Sequence, residues 1–271
     1  MYLLFDIGGT RMRFVVSSDK ETLGPVHVVP TPQDFRSALD EIRKVKGRLC
    51  GDAILQGVAG CTPGPFNKEK TVIINAPNLP GWNGKPFHQE LVNIFDCPVL
   101  LENDAALAGL GEVLYGAGKG KDIIAYFTVS TGIGGARIVK NGIDYNIWGM
   151  EPGQQILRIG DEESTLEKLV SGTALAKRYG ADAEDITDQE AWSETARILA
   201  IGLHNSIVHW SPEMIILGGS VMKSLPIESV REELQKVMRI FPSIPEVVLA
   251  EHGDTSALYG ALALLNNKFS A

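Results

Sequence analysis

Residues 2–17 read YLLFDIGGTRMRFVVS, and this stretch decides the fold. A short apolar run ends on an acid, Asp6, a glycine turn follows at Gly8-Gly9-Thr10, and MRFVVS runs on as a second strand. Apolar segments flanking a Gly-Gly turn predict an antiparallel hairpin. The same order returns at 123–139: IIAYFTV, a turn at Ser130-Thr131-Gly132, then a strand ending ARIV.

Around each hairpin, strands alternate with helices. A third strand is expected at Val26–Val29, followed by a helix at 33–46 opened by Pro32. DAILQGV (52–58) and PVLL (98–101) read as buried strands. A helix follows from residue 103 or 104 to about 114. Further helices are expected at 164–179, 189–209, 228–238 and 255–267, and strands at 213–217 and 246–250. That order predicts an α/β protein of two lobes. Between the first two buried strands, residues 60–86 are rich in Gly, Pro and Asn beside Trp82, which suggests a binding loop.

The bulk composition sets limits. The chain has 271 residues, 44% hydrophobic and 21% charged, with a formal net charge of −8. That supports a substantial core and argues against a nucleic-acid partner. Cys50, Cys61 and Cys97 form no CxxC pair and suit a reducing compartment. There is no signal-peptide pattern ahead of the first strand and no run of ~18 apolar residues, so a cytoplasmic protein with no membrane span is expected.

Several residues have the chemistry of a site. Asp6 ends a strand beside glycines that let a backbone approach a phosphate, and the Thr10 hydroxyl can donate to it. Asp6 could hold Mg²⁺ through water; the same residues equally read as a hairpin turn. Thr131, Gly132, Gly134 and Gly135 repeat the pattern, as a second phosphate clip on one nucleotide. The lysine-glycine run GAGKGK (116–121) lacks Walker A spacing. Glu102-Asn103-Asp104 precedes an Ala/Leu-rich helix. Asn103 or Asp104 reads as its N-cap, and a carboxylate there is also held ionised by the helix dipole, by ~0.3–1 kcal/mol. Ser164 and Glu167 have capping-box spacing. Gly218-Gly219 follows a strand and leaves room for a flat base, or is an ordinary connection. Gly260, among small residues, allows close packing of the last helix.

Taken in order, Asp6–Thr10, GVAGCTPGP (57–65), NAPNLPGW (75–82), ENDA (102–105), STGIGG (130–135), GMEPGQ (149–154), STLEKLVSGTAL (164–175), ILGGSV (216–221) and GDTSALYGA (253–261) resemble the ROK family of sugar kinases. The resemblance implies two ribonuclease-H-like lobes of the actin/hexokinase type with a cleft between them. Residues 1–114 would form the first lobe, with the last helix, about 255–271, packing back on it. Residues 115–254 would form a larger second lobe. It also implies an ATP-dependent kinase acting on a hexose or amino sugar, at the C6 hydroxyl, with Asp104 as catalytic base. Asn78, Asn103, Asp104, Glu151, Gln154 and Glu167 would bind the sugar. Asp6, Gly8, Gly9, Thr10, Thr131, Gly132, Gly134, Gly135, Gly218 and Gly219 would surround ATP and Mg²⁺. A homodimer is a prior of the family.

Two departures stand out. Gln154 replaces a histidine that is a family zinc ligand, and residues 155–166 (QILRIGDEESTL) hold no cysteine or histidine. Structural zinc needs several N or S ligands, so no zinc is expected. A sugar-sensing protein without catalysis, or a kinase using polyphosphate as donor, are the competing readings. No DNA-reading helix-turn-helix precedes the first strand, so a repressor role is not expected.

Overall fold

The computed structural model describes residues 1–159 and 162–269. Contacts divide the chain into two compact units. The first contains Met1–Leu114, Tyr145–Gly149 and the segment from Thr255 on; the second contains Tyr115–Asp144 and Met150–Asp254.

In the first unit, β1 (Tyr2–Ile7) and β2 (Arg11–Ser17) pair antiparallel around the Gly8-Gly9 turn, with Asp6 opposite Arg13. β3 (His27–Pro30) adds to β2. β4 (Gly57–Thr62) and β5 (Val99–Asn103) extend the sheet in parallel, in the order β3-β2-β1-β4-β5. One face carries α1 (Phe35–Cys50) and α2 (Phe87–Phe95), whose apolar sides join a core with Leu3, Phe5 and Phe14. Asp34 caps α1 by accepting from Ser37 N, so that helix starts and ends later than the expected 33–46.

One expectation is corrected here. The strand placed at 52–58 lies at Gly57–Thr62 and is buried throughout. The 60–86 segment, expected as a binding loop, is anchored through its tryptophan. Trp82 is wholly buried, 5.7 Å from Phe35 and 5.3 Å from Phe87 between ring centres. Its indole N–H donates to Pro32 O at 3.3 Å, which anchors the segment to the core.

α3 (Asp104–Tyr115) and α8 (Ser256–Phe269) belong to the same unit. They cross at backbone contact. A Cβ on Gly260 would overlap the Leu107 carbonyl oxygen, and one on Gly111 would overlap that of Ser256. Beside the crossing, the buried Ser256 hydroxyl donates to the buried Glu112 carboxylate at 2.6 Å.

The second unit repeats the sheet. β6 (Ile123–Val129) and β7 (Ile133–Val139) form its hairpin, β8 (Gly142–Ile143) adds to β7, and β11 (Met214–Gly218) and β12 (Glu246–Leu249) run parallel to β6. The order β12-β11-β6-β7-β8 is the first sheet's topology again. α6 (Gln189–Trp210) and α7 (Ile227–Val237) supply much of its core. The helix expected over 164–179 is two helices: α4 (Leu166–Val170) and α5 (Gly172–Tyr179), separated by Ser171, which caps the second. Before them stands an antiparallel pair that the sequence did not suggest, β9 (Ile156–Ile159) and β10 (Glu162–Thr165). Ser164 lies in β10 and Thr165 caps α4, accepting from Lys168 N, so the capping-box reading of Ser164 and Glu167 is corrected.

Candidate active site

In the first unit, the carboxyl ends of three parallel neighbours, β1, β4 and β5, meet along one edge. Asp6 stands in register with Cys61, Cys61 with Glu102, and Thr62 with Asn103. Carboxyl edges of such sheets are where ligands usually bind, because loops and helix starts gather there. α3 begins at this edge. Asn103 caps it, its Oδ1 accepting from Ala106 N at 3.1 Å, and Asp104 is its first residue, with Oδ1 accepting from Ala105 N at 2.9 Å. Asn103 is thus both cap and candidate ligand, and Asp104 sits at the positive end of the helix dipole.

Asp6 is held at both oxygens. Arg13 Nη1 donates to Oδ2 at 3.2 Å and the Cys61 thiol reaches Oδ1 at 3.4 Å. Cys61 is fully buried, and burial first, then the charges of Asp6 and Asp104, push its thiol well above the usual range. Neither Arg13 nor Cys61 was singled out in the sequence. Arg13 was findable, because a hairpin centred on Gly9-Thr10 places it opposite Asp6.

The turn itself is tied down. Gly8 N donates to Arg11 O, Thr31 Oγ1 to Gly8 O and Gln33 Nε2 to Gly9 O. Asn78 lies against this turn: a Cβ on Gly9 would come 2.7 Å from its Cβ. Asp6, Gly8, Gly9, Thr10, Asn78, Asn103 and Asp104 all belong to this unit. Two features beyond those residues join the edge. Lys70 is ion-paired with Glu102, whose other oxygen accepts from Asn103 N at 2.9 Å. Thr62 Oγ1 is buried without a hydrogen-bond partner among the described residues.

The second unit holds the other candidates. Ser130 N donates to Gly132 O to close the hairpin turn, and Thr131 O accepts from Thr173 Oγ1 at 2.7 Å. Gly134 and Gly135 continue into β7, where Gly135 bridges Met150. Gly218 ends β11 against the Tyr126 hydroxyl, and Gly219 follows at φ 96°, a left-handed conformation suited to glycine. Ser130 and Ser220 hydroxyls, 3.0 Å apart, tie the two turns together.

Glu151, Gln154 and Glu167 cluster beside that hairpin. Glu167 Oε2 accepts from Ile133 N at 2.8 Å and Oε1 from Gln154 Nε2 at 3.1 Å. Although Glu151 keeps much of its surface open to solvent, desolvation by the surrounding wall, then the Glu167 charge, raise its carboxyl above the ordinary value. The folded state therefore keeps this proton to higher pH than the unfolded chain. Between the two values, stability falls as pH rises. Glu151→Gln should raise stability at neutral pH by less than about 1 kcal/mol for so solvated a group, and Tm slightly with it. Thermal melts across pH should show the gap closing as pH falls through the ordinary glutamate range. A gap constant down to pH 3 would contradict this.

Among the described residues no group of three or more His, Cys, Asp or Glu is arranged to hold a metal. None of the described helices is long and apolar enough to cross a membrane.

A family model for ROK matches residues 2–268. The chain belongs to the ROK family. Among its ROK relatives, a putative fructokinase of Bacillus subtilis is 29% identical, covering 80% of this chain and 81% of that protein. A glucokinase of Streptomyces coelicolor is 25% identical over 96% of this chain and 95% of its own. Of solved structures, the ROK hexokinase from Thermus thermophilus is 28% identical, with a TM-score of 0.84 over 98% of this chain and 99% of that one. The expected actin/hexokinase-type α/β fold thus stands, with the doubled sheet as its visible sign.

Proposed function

We propose that this ROK sugar kinase transfers the γ-phosphoryl of ATP to a hexose or amino sugar, at the C6 hydroxyl, with Asp104 as base. The observation that carries this reading is the edge of the first sheet. One acid ends its first strand before a glycine hairpin, and a second opens a helix at the end of β5, two parallel neighbours away.

Asp104 orients the acceptor hydroxyl and accepts its proton, while Asn103 and Asn78 hydrogen-bond ring hydroxyls. Glu151, Gln154 and Glu167 add polar groups suited to a sugar. The hairpin turns at Gly8–Thr10 and Thr131–Gly135 offer backbone N–H groups to phosphates, and Gly218-Gly219 leaves space for the adenosine. Phosphoryl transfer relies mainly on such positioning and on electrostatic stabilisation.

The donor set fits Mg²⁺ and not structural zinc. Mg²⁺ is commonly held by one or two carboxylates, with water and phosphate oxygens completing its shell. Asp6 is such a carboxylate, and its two braces fix its orientation. Bound there through water, Mg²⁺ would neutralise charge on the phosphates.

Incubating the protein with ATP and Mg²⁺ against glucose, fructose, mannose, N-acetylglucosamine and N-acetylmannosamine, read as ADP release, tests the reading. ADP formed only when a sugar is present is the expected result. Release independent of sugar, or none with any sugar, contradicts it. A parallel arm with polyphosphate in place of ATP identifies the donor.

A further inference from the structure

Glu167 touches two loops at once, and we propose that it is a positioning residue that couples sugar binding to nucleotide binding. The proposal rests on the reading above, in which the 130–135 hairpin takes phosphate and the 149–154 loop takes sugar.

The geometry is specific. Glu167 lies in the first turn of α4. One carboxylate oxygen accepts from the backbone N–H of Ile133, where the hairpin turn enters β7. The other accepts from the side-chain amide of Gln154, at the end of the one-turn helix Pro152–Gln154 that follows Glu151. Space is reserved for this carboxylate, since a Cβ on Gly132 would come 2.6 Å from Glu167 Oε2. The loops also touch directly. Gly135 bridges Met150, and a Cβ on Gly135 would come 2.6 Å from Pro152 Cγ. A shift in one loop is therefore transmitted to the other through a carboxylate fixed at both ends.

Chemistry gives the coupling its sign. A carboxylate oxygen has two lone pairs, so Glu167 Oε1 can accept from a sugar hydroxyl while keeping Gln154. Each further donor narrows the positions open to the carboxylate, and with them those of Ile133 N. The first ligand then meets part of the ordering cost of the second, which is positive coupling and must be reciprocal. Gln154 is what this arrangement needs: its amide donates to a carboxylate with no metal between them.

The test titrates AMPPNP with Mg²⁺ by calorimetry, alone and with saturating glucose, fructose, mannose or N-acetylglucosamine. In the wild type, at least one sugar should lower the AMPPNP Kd about tenfold. Glu167→Met keeps the length of the side chain but has no oxygen to accept from either donor, so the ratio should fall below about twofold. Gln154→Ala, at an exposed position, removes the loop's bond to Glu167 and leaves the Ile133 bond; read at saturating sugar, because Gln154 is itself a proposed sugar contact, it should lower the ratio similarly, which keeps the test informative if Glu167→Met folds poorly. The paired swap Q154E/E167Q restores an unbroken chain, with Gln at 167 accepting from Ile133 N and donating to Glu at 154, and should recover most of the ratio. A merely structural role predicts no such rescue. An unchanged ratio in Glu167→Met or Gln154→Ala, or a swap no better than Glu167→Met, overturns the proposal. So does a wild type that binds AMPPNP with no response to any sugar. Bound AMPPNP with an unmoved ratio sinks this proposal alone, whereas absence of AMPPNP binding sinks the kinase reading with it.

Discussion

Asp104→Asn lowers sugar-dependent ADP release by about 10²- to 10⁴-fold, the span that a positioned general base contributes. The substitution is nearly isosteric. An asparagine oxygen can still accept from Ala105 N, as Asp104 Oδ1 does at 2.9 Å, and the Asn103 cap on Ala106 N is untouched. α3 therefore keeps its start, and Tm should change little. The amide can still hydrogen-bond a hydroxyl, so sugar binding should persist. What it cannot do is take the proton as the hydroxyl attacks. The loss should fall on kcat, with KM for the sugar much less affected. Steady-state kinetics with the best acceptor checks this, and a variant with near-normal kcat removes Asp104 as base.

The second large effect concerns stability. Gly260→Ala should destabilise the protein by about 3 kcal/mol, at the upper end of ordinary overpacking, because the added methyl meets backbone and not a movable side chain. The obstacle is the Leu107 carbonyl on α3, so α8 has to move away from the helix that Asp104 begins. Tm should drop by roughly 6–12 °C. Helix propensity predicts the opposite sign, since alanine is favoured over glycine by about 1 kcal/mol within a helix. Gly47 in α1 supplies the contrast: a Cβ there meets nothing within 4 Å. Gly47→Ala should therefore stabilise by up to ~1 kcal/mol. Thermal melts of the two variants should shift in opposite directions; equal shifts would mean that the α3–α8 contact is not tight.

Legibility in the sequence followed the strength of local signals. Both hairpins showed because apolar runs flank glycine turns, and α3 showed because a polar pair precedes an Ala/Leu run. Gly260 marked a close helix contact for the same kind of reason. β4 was misplaced because its buried sequence, GVAGCT, is built of small residues with little strand character. Gly60 among them is needed because the Phe5 ring lies where its side chain would go. Ser164 mimicked a cap because the spacing was right, but pairing with Leu157 of β9 holds it in a strand and leaves the cap to Thr165. Glu167 is then free to turn toward Ile133, and only tertiary structure reveals that contact. The Cys61 contact with Asp6 was hidden likewise, since strand neighbours distant in sequence carry no local signature.

Phosphorus NMR of the protein with ATP, Mg²⁺ and the sugar giving the most ADP tests the central claim most directly. The account predicts a phosphomonoester signal coupled to the C6 protons, growing as the γ-phosphate signal declines and absent with Asp104→Asn. Inorganic phosphate appearing in place of a sugar phosphate, or the same ester formed as fast by Asp104→Asn, would contradict it.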